Sequence, residues 1–279
     1  MFYLIIGILC SALISIILRM SEKHLSNKMV MFASNYMICV LCSLFFMKGN
    51  HIVLSGSYFN ITLLLGLISG VLYLVSFLFT KANMDHNGLV LTSTFTKLGV
   101  LIPTLMAIVI FKEVPSLIQI IGISISICAI IMIHFEKDAI SEGNKKLWLI
   151  MLLIMCGIVD SLTNIFKQYG HIDYENMYLL LTFLTAFILA FILSFTNKNK
   201  MNIKDVIFGI LIGIPNFFSS KLVLMALDSL DAIIVYPIYS VGTLITITLA
   251  GLLLFKEELS RKKLFAIIMI AISLCLLNL

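Results

Sequence analysis

Ten runs of apolar residues, joined by short polar connections, fill almost the whole of this 279-residue chain. They lie roughly at 2–20, 29–47, 60–80, 88–111, 116–135, 147–168, 177–195, 206–227, 232–255 and 263–278. About 20 residues of helix cross the hydrocarbon core of a bilayer. In that core each backbone N–H and C=O must bond within its own segment, so runs of this length form helices rather than barrel strands. With 61% hydrophobic and only 12% charged residues, the chain lacks the charges to cover a soluble domain of this size. The fold class expected is an all-α integral membrane protein with ten transmembrane helices and no soluble domain.

The runs fall into two copies of one unit. Phe111-Lys112-Glu113 recurs as Phe255-Lys256-Glu257, 144 residues later. Each copy ends one run and leads, past Ser116 or Ser260, into another. Upstream, Gly66-x-x-x-Gly70 recurs as Gly209-x-x-x-Gly213. The expected domains are a first five-helix repeat over 1–137, an inter-repeat loop over 138–146 and a second repeat over 147–279. The boundary lies in the charged stretch His134–Lys146 around Gly143. Five is odd, so the two copies enter the membrane in opposite directions. Inverted repeats suit alternating access, with a binding site between the halves.

Charge and cysteine use narrow the class further. The net charge of +5 reads as membrane topology rather than a nucleic-acid footprint. With ten spans, 14 basic residues fall in the loops of one face and Lys48, Lys112 and Lys167 in those of the other. Basic loops stay cytoplasmic, so both termini are expected to face outward. All six cysteines lie inside apolar runs, without the spacing of a metal site or a disulfide framework. Met1-Phe2-Tyr3 opens without a basic segment, so the first run is read as a retained span. No Gly-x-x-x-x-Gly-Lys-Ser/Thr loop occurs, so the energy for any transport comes from a gradient.

On these features the chain resembles the EamA-type members of the drug/metabolite transporter superfamily. The resemblance rests on the five-plus-five arrangement, the Gly-x-x-x-Gly third and eighth spans and the Phe-Lys-Glu-x-x-Ser corners. It covers essentially the whole chain, most strongly 62–135 and 205–278. It implies that spans one, three, four, six, eight and nine line a central cavity, and that the termini face the cytoplasm, against the charge count. The first span also resembles the first helix of small multidrug resistance proteins, whose embedded glutamate exchanges protons for cationic drugs. Ser11 stands at about that position here, so the acid is absent.

Three charges sit well inside apolar runs: Lys97, Asp160 and Lys221. A charge at a helix centre costs about 2.5–3.5 kcal/mol on insertion scales and is rarely left facing lipid. Depth along the helices predicts an Asp160–Lys221 ion pair, with Lys97 lacking a carboxylate partner. That pair either locks two helices or couples and gates transport. Tyr239 and the proline of Tyr236-Pro237-Ile238-Tyr239 serve as a ligand contact and a hinge, or as a packed kink. Asn164 shares a helix face with Asp160, and Ser161 lies beside it. Tyr73 and Asn83 are weaker candidates. Glu113 and Glu257 are assigned to corner structure at helix starts, and the glycine pairs to close packing where the third and eighth helices cross near the centre.

Two lysines against one aspartate favour a small anionic or zwitterionic metabolite, such as an amino acid, carried by a secondary transporter. The alternative is a multidrug or quaternary-amine transporter using Asp160. An enzyme is not expected, since the spans hold no nucleophile–base pair or metal-ligand set, and no cofactor is implied. The partners expected are the substrate, the lipid bilayer of a plasma or inner membrane and, for coupling, protons. Nucleic acid is not among them, and a monomer suffices.

Overall fold

The computed structural model describes residues 2–22, 24–47, 56–99, 101–102, 116–134, 143–196, 201–227, 232–257 and 260–276. Among these the chain forms ten α-helices and no strand. They are α1 (Phe2–Ser21), α2 (Lys28–Met47), α3 (Ser57–Asn87), α4 (Leu89–Leu98), α5 (Leu117–His134), α6 (Gly143–Tyr169), α7 (Glu175–Thr196), α8 (Ile203–Leu227), α9 (Ala232–Leu254) and α10 (Arg261–Leu276). A 3-10 turn at Ile172–Tyr174 leads into α7. Six segments are long and apolar enough to cross a membrane: 2–21, 28–47, 57–87, 147–169, 172–196 and 203–226. Many large apolar side chains on them point outward, Leu64, Phe45 and Phe195 among them. The chain is a multi-pass membrane protein.

End-to-end contacts order the helices. Arg19 at the end of α1 donates to the Met84 carbonyl near the end of α3. Lys28 at the start of α2 pairs with Asp85 of α3. Asp205 at the start of α8 accepts from Ser26 N and Asn27 N. Glu257, just past α9, accepts from Leu89 N and Val90 N at the start of α4. All these ends share one face, which carries Arg19, Lys28 and Lys81. On the other face Lys167 of α6 pairs with Glu175 of α7, and Tyr58 of α3 lies against His171.

Two helices depart from the sequence reading. The third was expected over 60–80 with Lys81 in a loop, but α3 runs to Asn87 and Lys81 is 1% exposed. Its ammonium pairs with Asp85 one turn on and donates to the Leu18 carbonyl. The charge is neutralised inside the helix, so the helix continues to Gly88, whose φ of 78° suits glycine. The fourth was expected as one run over 88–111; α4 ends at Leu98 and helix resumes at Leu101 and Ile102, past which the run lies outside the described residues. Gly99 closes with three-residue bonds instead, to Thr96 O and from Ile102 N. Pro103, four residues on in sequence, has no N–H to offer the Gly99 carbonyl. Pro103 itself, with Phe111, Lys112, Glu113 and Pro115, lies outside the described residues.

The two halves interlock through matched contacts. A Cβ on Gly66 would meet Leu181 Cβ at 2.7 Å and Tyr178 O at 3.5 Å; one on Gly70 would meet Thr182 O and Thr185 Cβ, both at 2.5 Å. Across the molecule, a Cβ on Gly209 would meet Met31 O and Ser34 Cβ, and one on Gly213 would meet Asn35 O and Ile38 Cβ. The spacing is the same in both: a carbonyl, a side chain three residues later, then each again four residues on. The glycines therefore do not join the third and eighth helices at the centre, as expected from sequence. Those on α3 seat on α7, and those on α8 seat on α2. Likewise α1 packs on α8 and α9, while α6 packs on α3 and α4. Where α3 and α8 do meet, Tyr73 and Asn216 hydrogen-bond each other at 3.0 Å. Each lies seven residues past the first glycine of its pair.

Candidate functional site

Lys97 stands in the last turn of α4, where the open carbonyl end of a helix favours a cation. Its Nζ lies 3.3 Å from Ser11 Oγ of α1 and 4.2 Å from the centroid of the Tyr239 ring of α9. One lysine thus touches both halves. The Tyr239 hydroxyl is 2.7 Å from Ser219 Oγ of α8, which fixes the ring's tilt. Lys97 and Tyr239 are each half-buried, so ammonium and ring retain an open side.

Asp160 of α6 is exposed. Its charge acts on Tyr73 and Tyr178, and Lys97 is the cation whose charge acts on it. Those neighbours come from α3, α7 and α4, so the surface Asp160 faces lies between helices. Among the described residues no side chain binds it directly. Cys156, one turn earlier, feels both Asp160 and Lys97.

The expected Asp160–Lys221 pair is replaced by other partners. Lys221 donates to Asn176 Oδ1 at 2.7 Å, near the start of α7. The two residues do lie at matching places along their helices: Asp160 is the eighteenth residue of α6 and Lys221 the nineteenth of α8. The neighbours differ, because α6 packs on α3 and α4 whereas α8 packs on α1 and α2. Equal depth on helices that are not packed together brings no contact.

The other candidates divide clearly. Asn164 is half-buried, one turn beyond Asp160 on the same helix. Tyr73 spends its hydroxyl on Asn216 Oδ1 and Ser220 Oγ, joining the halves. Ser161 donates to Gly157 O within its own helix, and Asn83 donates to Phe79 O and Trp148 O. α9 runs through Pro237, whose ring lies outside what the structure describes. α8 runs unbroken through Pro215. Glu257 does not serve its own helix start: Lys256, at φ 52°, turns the chain back so that the carboxylate caps α4 of the other half.

Sequence reasoning passed over Ser11 as a contact and Tyr178 altogether. Tyr178 stacks on Phe166 at 4.2 Å and reaches Ser69 with its hydroxyl. A signal for Ser11 was present: Gly7-Ile8 with Ser11 repeats as Gly157-Ile158 with Ser161, 150 residues on. By that register Cys10 stands where the second half has Asp160.

A many-helix membrane chain with a lysine and an aspartate set within its helices has the build of a small-molecule transporter. Residues 146–279 match the EamA-like transporter family. The second half of the chain is thus similar to the EamA-like transporter domain of the drug/metabolite transporter superfamily. It is similar to an uncharacterised protein of Haemophilus influenzae, 26% identical over 92% of this chain and 91% of the relative. A protein of known crystal structure aligns over 99% of this chain and 98% of its own, with a TM-score of 0.64 and 12% identity. That likeness is one of fold.

Proposed function

We propose that this protein is a secondary transporter of a small anionic or zwitterionic metabolite, such as an amino acid. It works by alternating access between two inverted five-helix repeats, 1–137 and 147–279, joined by the loop 138–146. The setting is the plasma or inner membrane, crossed ten times. The matched glycine contacts of α3 on α7 and α8 on α2 support the inverted relation. A monomer holds both halves of the site.

One observation carries the substrate class. Among the described residues Lys97 meets a hydroxyl and a ring face rather than a carboxylate within ion-pair distance. A cation so placed within the membrane gains most from an incoming carboxylate or phosphate oxygen. Tyr239 lines the same pocket, Asn164 adds a polar contact, and Asp160 balances an ammonium group when the substrate carries one. Proton coupling, if the driving gradient is protons, runs through Asp160. Lys221 and Tyr73 hold the wall, and Pro237 supplies the hinge in α9.

A second reading keeps one observation of its own. Asp160 is open and has no direct partner among the described residues, which suits an organic cation. Ligand-induced thermal shift separates the two, with amino acids, organic acids, phosphorylated metabolites and quaternary amines as probes. Stabilisation by an anion or zwitterion, absent in Lys97→Ala, is the expected result. Stabilisation by cations alone, indifferent to Lys97, contradicts the proposal and moves the site to Asp160.

A further inference from the structure

The two halves are tied on their basic face by two carboxylates of the second half, each spent on helix-start amides of the first. Asp205 accepts from Ser26 N at 2.8 Å and Asn27 N at 3.1 Å, where α2 begins, and from Asn202 N at 3.0 Å beside its own helix. It is fully buried. Glu257 accepts from Leu89 N at 2.6 Å and Val90 N at 3.0 Å, where α4 begins. Unlike Asp205, Glu257 keeps contact with solvent and shares its charge with Arg19, 3.7 Å away. Arg19 divides itself further between Glu22 and the Met84 carbonyl.

We propose that Glu257 is a releasable latch that holds the basic face shut, with Asp205 as the fixed clamp beside it. Three features point to release at Glu257. It sits on a turn made by a non-glycine residue at positive φ, Lys256, a conformation kept only where surrounding contacts enforce it. The contact depends on close approach at a glycine: a Cβ on Gly88 would meet Glu257 Oε1 at 3.0 Å. Arg19, with three acceptors around it, can keep two of them when Glu257 leaves. The α4 whose start is capped also carries Lys97 at its other end, so opening the latch frees the helix that bears the candidate site.

This inference rests on the alternating-access reading, but its test needs no substrate. Spin labels are placed at the exposed positions His86 and Arg261 by cysteine substitution, with the native cysteines replaced by alanine. Pulsed-dipolar distances are then measured on the full chain in nanodiscs. Glu257→Gln keeps the shape but loses one acceptor, and Glu257→Ala removes the cap. The expected result is a single main separation with Glu257 and a several-fold larger population of a longer one in both variants, with Asp205 intact. An unchanged distribution in a folded Glu257→Gln overturns the latch. So does a Glu257→Gln that fails to fold, because Glu257 is then structural. Either failure leaves ligand binding at Lys97 to be decided separately.

Discussion

The Lys97 ammonium of α4 lies 4.2 Å from the centre of the Tyr239 ring of α9, so a cation of the first half is held by an aromatic face of the second. The two helices occupy corresponding places in the halves. Any motion of one half against the other changes this contact, and a ligand that binds Lys97 competes with the ring for its charge.

The ring, rather than the hydroxyl, does the holding. Tyr239→Phe keeps the cation over a π-face and loses only the bond to Ser219, so ligand affinity stays within about twofold. Tyr239→Leu removes the attraction, which is worth roughly 0.5–2 kcal/mol, and shifts affinity by about 2- to 30-fold. Titration of the purified variants with the ligand found by thermal shift measures both.

Neutralising Asp160 sorts substrates by charge. Asp160→Asn leaves a purely anionic ligand bound as well or better, since the negative charge opposing it is gone. A zwitterion loses the partner of its ammonium and binds more weakly. Loss of all binding to quaternary amines, with no effect on anions, is the result expected of the second reading. Competition binding with one ligand of each charge type distinguishes these outcomes.

Gly213 seats α8 on α2 with no room for a side chain. A valine there drives Cβ to within 2.6 Å of the Asn35 carbonyl and 2.7 Å of Ile38. Overpacking of this kind costs about 1–3 kcal/mol. Gly213→Val is expected to lower the thermal midpoint in detergent, and Gly70→Val to do the same through Thr182 and Thr185. A neutral effect at both contradicts the matched packing of the halves.

Asp205 satisfies three amides while fully buried. Asp205→Ala strands those donors away from water and is expected to destabilise the fold by roughly 3 kcal/mol. Asp205→Asn offers one acceptor oxygen and falls between. Denaturation of the variants in mild detergent gives the order.

The helices were legible because bilayer thickness dictates their length: α2 and α6 begin and end within a few residues of the apolar runs that predicted them. α3 overran its expected end because Lys81 and Asp85 look like loop residues until their mutual neutralisation is seen. The break after Leu98 was hinted at by Gly99, though a residue as disruptive as Pro215 leaves its own helix continuous. Lys97, Asp160 and Tyr239 were readable as intramembrane oddities. Their partners were not, because sequence fixes how deep a residue lies along its helix but not which helix it faces. Asp160 and Lys221 share a depth and do not share a neighbour.

Ligand counterflow in proteoliposomes, comparing the parent protein with Lys97→Met and Lys221→Met, tests the central claim most directly. Methionine matches the length of the lysine stem without its charge. The account expects exchange of an anionic or zwitterionic ligand to be lost in Lys97→Met and largely kept in Lys221→Met, whose lysine bonds Asn176 at the wall. Undiminished exchange in Lys97→Met would contradict a site built on Lys97 between the halves.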